Sequence, residues 1–242
     1  MTDSPRRVRT GPASVAPMDL QLRDRVILVV GATGLIGSAV VDTLRTEGAT
    51  VVPASRHLDD GLTLDAADDA SVSDGIAAVL AEHGRLDGLV VAASPAAQTL
   101  DPDRHADPAQ VIGAIDAKAM TFLRVANAVL PTMTQAGFGR IVGVSGQNAL
   151  LTGNLTGSVR NAALIIAAKN LADASAGTGV AVNTVNPGTV DVEPNTEVEP
   201  GRGGESSPTQ IADLIAFLLS PRSAVSGEAV AVGHRVRGVT SM

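Results

Sequence analysis

The sequence predicts a single doubly wound α/β domain of about seven parallel strands, with helices on both faces of the sheet. Three observations carry that prediction. Short β-branched runs alternate with longer helical stretches. The strand candidates are apolar throughout, the pattern of parallel strands covered on both faces rather than of half-exposed antiparallel ones. A glycine-rich turn joins the first strand candidate to the first helix candidate, as at the start of a βαβ unit. The chain's 242 residues suit one such domain. Its 45% apolar and 18% charged residues can fill a large core and exclude global disorder.

Residues 1–17 (MTDSPRRVRTGPASVAP) are polar, Pro-containing and aperiodic. They read as a disordered tail, leaving 18–242 as the domain, and Met18 is an alternative start. The run RVILVV at 25–30 is a buried strand, and 38–47 is a helix stopped by Gly48. Strands follow at 50–54 and 86–92. Between them lies a helix at 71–83, capped by Ser71 and ended by Gly84. A long helical stretch covers 108–135, bent or restarted at Pro131. A strand at 140–144, an Ala-rich helix at 157–176 and a strand at 180–185 come next. Ser207-Pro208 introduces a helix at 209–219, and 228–232 is the last strand. The one long irregular stretch after the tail, 189–207, reads as a functional lid or a disordered loop.

Composition narrows the chemistry. With no Cys there is no disulfide framework, thiolate metal site or cysteine nucleophile. The formal charge is −7, and Arg6, Arg7 and Arg9 in the tail leave the domain more acidic still, so no nucleic-acid surface is expected. Apolar runs stop well short of a membrane span and no secretory h-region is present, which reads as a soluble cytoplasmic protein. The four histidines, His57, His83, His105 and His234, lack ligand spacing and read as exposed, so no metal site is expected. Sixteen Arg accompany two Lys, Lys118 and Lys169, and the chain has no Tyr and no Trp.

The turn Gly31-Ala-Thr33-Gly34-Leu35-Ile36-Gly37 follows the first strand. Gly31 permits a tight turn, Gly34 lets a pyrophosphate approach the backbone at a helix N-terminus, and Gly37 allows close helix–strand packing. The alternative is a tight turn in a nucleotide-free protein. The second strand ends at Ser55-Arg56, where a Rossmann unit choosing NAD carries an acidic residue. Arg56 can pair with a 2′-phosphate through its planar fork, which favours NADP(H) over NAD(H). A solvated surface Arg is the competing reading.

The opening LQLRDRVILVVGATGLIG, GRLDGLVVAAS at 84–94, GRIVGVSG at 139–146, VNTVNPG at 182–188 and PTQIADLIAFLLSPRSAVSGEAVAVGH at the C-terminal end together resemble the short-chain dehydrogenase/reductase family, over about residues 20–238. The G-x-x-G-x-x-G spacing is that of its extended and atypical members. The resemblance implies the Rossmann fold and a nicotinamide cofactor. Leu64-Asp65 is similar to the end of the family's third strand, where an Asp meets adenine, and the helix usually preceding that strand is missing. The cofactor-binding residues implied are those of the glycine turn with Ser55, Arg56, Asp65, Ala92, Asn161, Pro187 and Gly188. A homo-oligomer, dimer or tetramer, through helices 108–135 and 157–176 is implied as well.

The departures from the family pattern matter as much. The family's acid is a Tyr, with a Lys four residues later, a Ser that polarises the carbonyl and an Asn in a proton relay. Anchoring on Lys169-Asn170-Leu171-Ala172 puts Gly157 at the Tyr position and Asn161 at the Lys position. A one-residue slip gives Ser158 and Ala162. The relay Asn maps onto Asp116, the usual Asn-Asn-Ala-Gly reads Val91-Ala92-Ala93-Ser94, and the Thr after Pro-Gly reads Val192. Hydride transfer to a ketone leaves an alkoxide that needs a proton, and a positioned donor is commonly worth about 10²–10⁴ in rate. The catalytic candidates left are Ser145, Asn161 and Asp116, the last a base if burial raises its pKa. Each has a structural alternative: a strand-end turn for Ser145, passive ribose contact for Asn161, an amide partner for Asp116. Gln147, Asn148 and Ser158 also map near the vacated site, and Arg160 reads as a surface or interface cation.

Three functions follow. The first, which these departures favour, is a rewired or inactive family member that binds or acts on a small molecule, with a non-redox step such as cyclisation or isomerisation open to it. The second is a divergent NADP(H)-dependent oxidoreductase with a replaced proton donor. The third is a non-catalytic subunit partnering an active paralogue.

Overall fold

The structure is a computed structural model and describes residues 18–94 and 99–238; the tail at 1–17 lies outside the described residues. Seven strands form one all-parallel sheet: β1 (Val26–Val30), β2 (Thr50–Ser55), β3 (Leu62–Thr63), β4 (Gly88–Val91), β5 (Gly139–Val144), β6 (Val180–Pro187) and β7 (Ala229–Val232). Their order is β3-β2-β1-β4-β5-β6-β7, so the chain winds outward in one direction from β1 and in the other from β4. The registers place Leu28 beside Val52 and Leu89, and Ile141 beside Leu89 and Val182.

Helices α1 (Leu35–Thr46) and α6 (Pro208–Leu219) cover one face, α2 (Asp69–His83), α4 (Thr121–Ala136) and α5 (Leu155–Ala174) the other. Period-two alternation divides β1 between the two cores. Val26, Leu28 and Val30 pack with Phe122, Val125 and Leu164, while Ile27 and Val29 pack with Val40, Leu44 and Ile215. That dual burial explains why the strands are apolar throughout.

Several helix boundaries differ from expectation by a side chain that sequence does not single out. Asp68, not Ser71, caps α2 by accepting from the Ser71 amide at 2.7 Å. The Ser71 hydroxyl instead accepts from the Asp65 amide and ties the end of the β3 segment to the helix. Helix α6 opens with a capping box between Ser207 and Gln210. The long stretch from α3 (Pro108–Ile115) into α4 is not broken at Pro131, which lies inside α4. Pro131 and Asn127 are both exposed, so the carbonyl that proline deprives of a donor is open to water. The irregularity sits earlier, as a π-helical turn over Asp116–Met120.

Loop 189–207 is tied to itself and to the C-terminal segment at several points rather than disordered. Val190 bridges to Ser206, the Gly204 amide donates to the His234 carbonyl at 2.7 Å, and Pro200 bridges to Arg237. His83 and His105 are half-buried rather than exposed. No described helix is long and apolar enough to cross a membrane.

Candidate active site and nucleotide cleft

The sheet order reverses between β1 and β4, and a crevice outside the carboxyl ends of the strands at such a point is where doubly wound proteins bind ligands. The glycine turn stands there. Gly31 adopts φ +87° and donates to the Ala54 carbonyl at 2.9 Å. A Cβ on Gly31 would lie 2.5 Å from the Ala93 amide nitrogen, and one on Gly37 2.1 Å from the Gly31 carbonyl, so internal packing demands both glycines. Gly34 is different. A Cβ there would meet only the Gly31 carbonyl, at an ordinary 3.4 Å. Its bareness keeps open a cradle in front of α1, where the first amides have no intrahelical acceptor.

A cavity of about 520 Å³ opens beside this cradle, within the range of small-molecule sites. Its walls include Gly31, Thr33 and Gly34 from the turn, Ser55 and Arg56 after β2, and Asp65 after β3, with Ala92 on β4's exit. Leu35 and Ile36 lead the helix beside it, Leu35 55% exposed. The structure thus gathers most of the expected cofactor residues around one cavity. Arg56 is exposed, with no hydrogen bond or ion pair among the described residues. Ser55 spends its hydroxyl on the His57 backbone. These residues fit an adenosine, a phosphorylated ribose and a pyrophosphate.

The ends of β5 and β6 present a different picture. Ser145, Asn161, Pro187 and Gly188 are not part of that cavity. Pro187 is buried, and a Cβ on Gly188 would lie 2.4 Å from the Gly204 carbonyl. The Ser145 hydroxyl donates to the Asn161 carbonyl at 3.0 Å. The Asn161 amide donates to the Asn148 side-chain oxygen in a short contact. Asn148 also fills the room beside Gly157, whose Cβ would lie 2.9 Å from the Asn148 amide nitrogen. Gln147 donates to the Val232 and His234 carbonyls and accepts from the Val236 amide, tying β5's exit to the C-terminal segment. Ser158 turns to the Leu151 and Asn154 carbonyls. Val192 is exposed and grips nothing.

Two expectations are corrected here. Asp116 is not a buried base. Its carboxylate is 53% exposed and pairs with Arg124 at 2.9 Å, because the π-helical turn points it outward. Arg160 is not a surface cation but is buried on the inner face of α5, with Thr156, Gly157 and Leu164. The residue that sequence reasoning passed over is Lys118. It is 6% exposed, and its ammonium donates to the Ser145 carbonyl at 3.1 Å. Burial, with the Arg160 guanidinium adding repulsion, pushes its amine down to about 7. A signal was available: Lys118 stands at helical spacing with Phe122, Val125 and Val129, a stripe that is otherwise apolar. Among the described residues no cluster of His, Cys, Asp or Glu could hold a metal.

Comparison with known proteins places this geometry. The short chain dehydrogenase family model matches residues 25–203. The chain is 34% identical over 224 residues to (2S)-[(R)-hydroxy(phenyl)methyl]succinyl-CoA dehydrogenase subunit BbsC of Thauera aromatica, covering 82% of this chain and 88% of that one. It is 28% identical to 3-oxoacyl-[acyl-carrier-protein] reductase FabG of Vibrio harveyi, covering 88% and 97%. Among solved structures, ElxO with NADP bound superposes with a TM-score of 0.76 at 18% identity, covering 86% of this chain and 97% of that one. Ligand-free aldohexose dehydrogenase of Thermoplasma acidophilum gives 0.75 at 23%, covering 93% and 99%. From the sequence match and the parallel sheet together, the chain belongs to the short-chain dehydrogenase family.

Proposed function

We propose that this protein is a nucleotide-binding family member that performs no Tyr-dependent hydride transfer: it keeps the adenosine side of the cofactor cleft and holds or acts on a small molecule without ordinary carbonyl reduction. One observation carries the reading. The chain contains no Tyr, and the polar groups near Gly157 and Asn161 are hydrogen-bonded to one another instead of facing the cleft. NADPH, when bound, supplies a hydride. The alkoxide that a ketone would become then needs a proton donor, and these residues offer none. Lys118 does not substitute, because it lines no part of the cavity and its ammonium is turned to the Ser145 carbonyl. The test is NADPH oxidation across a panel of ketones and 3-oxoacyl thioesters. The expected result is no turnover above background, and turnover of about 1 per second or faster would refute the reading.

The nucleotide we assign is NADP(H) in preference to NAD(H), through Arg56. Arg56→Ala is expected to erase most of that preference, by roughly tenfold, since a guanidinium–phosphate pair is a charge-assisted, two-pronged contact. Competition binding of NADP⁺ against NAD⁺ to both forms checks it, and an unchanged ratio counts against the assignment.

A second reading is favoured by the relative that is 34% identical and described as a dehydrogenase subunit. In that reading the chain pairs with an active family member in the cytoplasm and supplies structure rather than chemistry. Exposed Ile112 on α3 and Ile166 on α5 give the two helices apolar outward positions, which would serve a homo-oligomer equally. Mass measurement of the chain alone and after mixing with a catalytically complete relative distinguishes the two assemblies.

A further inference from the structure

The two halves of the cleft differ in whether their polar groups are free. On the β1–β3 side, Arg56 and the Thr33 hydroxyl have no hydrogen bond or ion pair among the described residues, and the leading amides of α1 have no intrahelical acceptor. Asp65 uses one carboxylate oxygen on the Ala67 amide and keeps the other. On the β5–β6 side Ser145, Asn161, Lys118 and Gln147 are each already bonded within the chain, and the unpartnered Thr184 Oγ1 and Asn186 Oδ1 are closed off by burial. Ser145 is bonded to Asn161, Asn161 to Asn148, Lys118 to Ser145, and Gln147 to three backbone groups of the C-terminal segment. A ligand entering there would have to break buried hydrogen bonds to gain its own, and that exchange yields little net affinity. The cavity's walls take in the glycine turn, the ends of β2 and β3, the exit of β4 and Ala117 and Thr121 on the neighbouring helix, and none of these four residues.

We infer that the cleft's ligand is an adenosine diphosphate unit phosphorylated on its ribose, and that whatever this unit carries beyond its second phosphate makes no net attractive contact with the chain. The inference rests on the nucleotide reading above and sharpens it: the site takes the unit for its own sake, as a bound ligand or assembly cofactor, and not to present a nicotinamide. Two abundant sources carry such a unit, NADP(H) and coenzyme A, with the ribose phosphate on neighbouring carbons.

Calorimetric titration of the full chain tests this with five ligands: NADP⁺, 2′-phospho-ADP-ribose, coenzyme A, its 3′-phospho-ADP fragment and nicotinamide mononucleotide. The expected result is that NADP⁺ and 2′-phospho-ADP-ribose bind within about threefold of each other and that the mononucleotide gives no heat at millimolar concentration. Coenzyme A binding more tightly than NADP⁺, and matched by its own 3′-phospho-ADP fragment, would assign the unit to that source, and weaker binding would assign it to NADP(H), both in agreement with the inference; coenzyme A binding about tenfold or more tightly than that fragment would overturn it. NADP⁺ binding about tenfold or more tighter than the truncated ligand would overturn it while leaving the nucleotide reading intact. No binding by any of the five would overturn both.

Discussion

Asp87→Ala should lower the stability of the fold by about 3–4 kcal/mol, a drop of roughly 10 °C in melting temperature for a domain of this size. Asp87 sits just before β4 at the amino edge of the sheet and is 6% exposed. It accepts from the Val26 amide at 2.9 Å, from Arg25 at 3.0 Å and from Arg85 through both carboxylate oxygens. Removal strands a strand amide and two guanidinium groups that converge on one place, and a buried donor left unmade costs more than a made bond contributes. Arg25 and Arg140 also both lie over the Phe138 ring, at 4.4 and 4.5 Å from its centroid, so the cluster links β1 to β5. Burial alone would raise the Asp87 pKa, but hydrogen bonds from Arg85, the Val26 amide and Arg25 outweigh it and hold the carboxyl below its usual value. Such a group contributes its stability above the unfolded pKa, near 3.8, and loses it as pH falls through the lower folded value. Melting curves of wild type and Asp87→Asn should therefore diverge at neutral pH and converge in acid. A gap that persists unchanged below pH 3 would contradict this account.

Lys118→Met is expected to have the opposite sign. The ammonium is buried beside Arg160, and its pKa falls from 10.5 to about 7. A depressed lysine pKa means that the unfolded chain binds the extra proton between those two values, so stability rises with pH across that window. The penalty is fully present below about pH 7 and gone above the unfolded value. Methionine fills the space without the charge but abandons the Ser145 carbonyl, which offsets part of the gain. The net expectation is stabilisation of about 1–3 kcal/mol at pH 6, several degrees in melting temperature, shrinking towards pH 10. Thermal melts across that range check it; a variant that is less stable at every pH would show that the lysine is held by an interaction these contacts do not include.

The centre of the sheet is legible in the sequence because β1, β4, β5 and β6 are buried on both sides, which writes apolar runs rich in β-branched residues, whereas the two-residue edge strand β3 is half-exposed and leaves no such run. The glycine turn is legible for a related reason: Gly31 and Gly37 are demanded by backbone contacts closer than any side chain allows. The candidate site is only half legible. The missing Tyr can be read from composition alone, but what fills the gap cannot, because Asn148 reaches Asn161 across a loop whose path no local pattern specifies. Asp116 and Lys118 show the limit most clearly. They stand two residues apart, and the π-helical turn decides which faces inward, sending the carboxylate to Arg124 and the ammonium to Ser145. Helical spacing with the apolar stripe through Phe122 favours Lys118 as the inward residue, but it gives no partner for the Asp116 carboxylate.

The central claim is that this cleft receives a nucleotide without a route for hydride chemistry. A single-turnover experiment tests it most directly: protein in molar excess over NADPH, a large excess of a reactive ketone, and absorbance of the reduced nicotinamide followed for hours. The account predicts bound nucleotide, seen as a shift in melting temperature, with no loss of absorbance beyond that of a protein-free control. Consumption of the full equivalent of NADPH within seconds, with the matching alcohol formed, would contradict it.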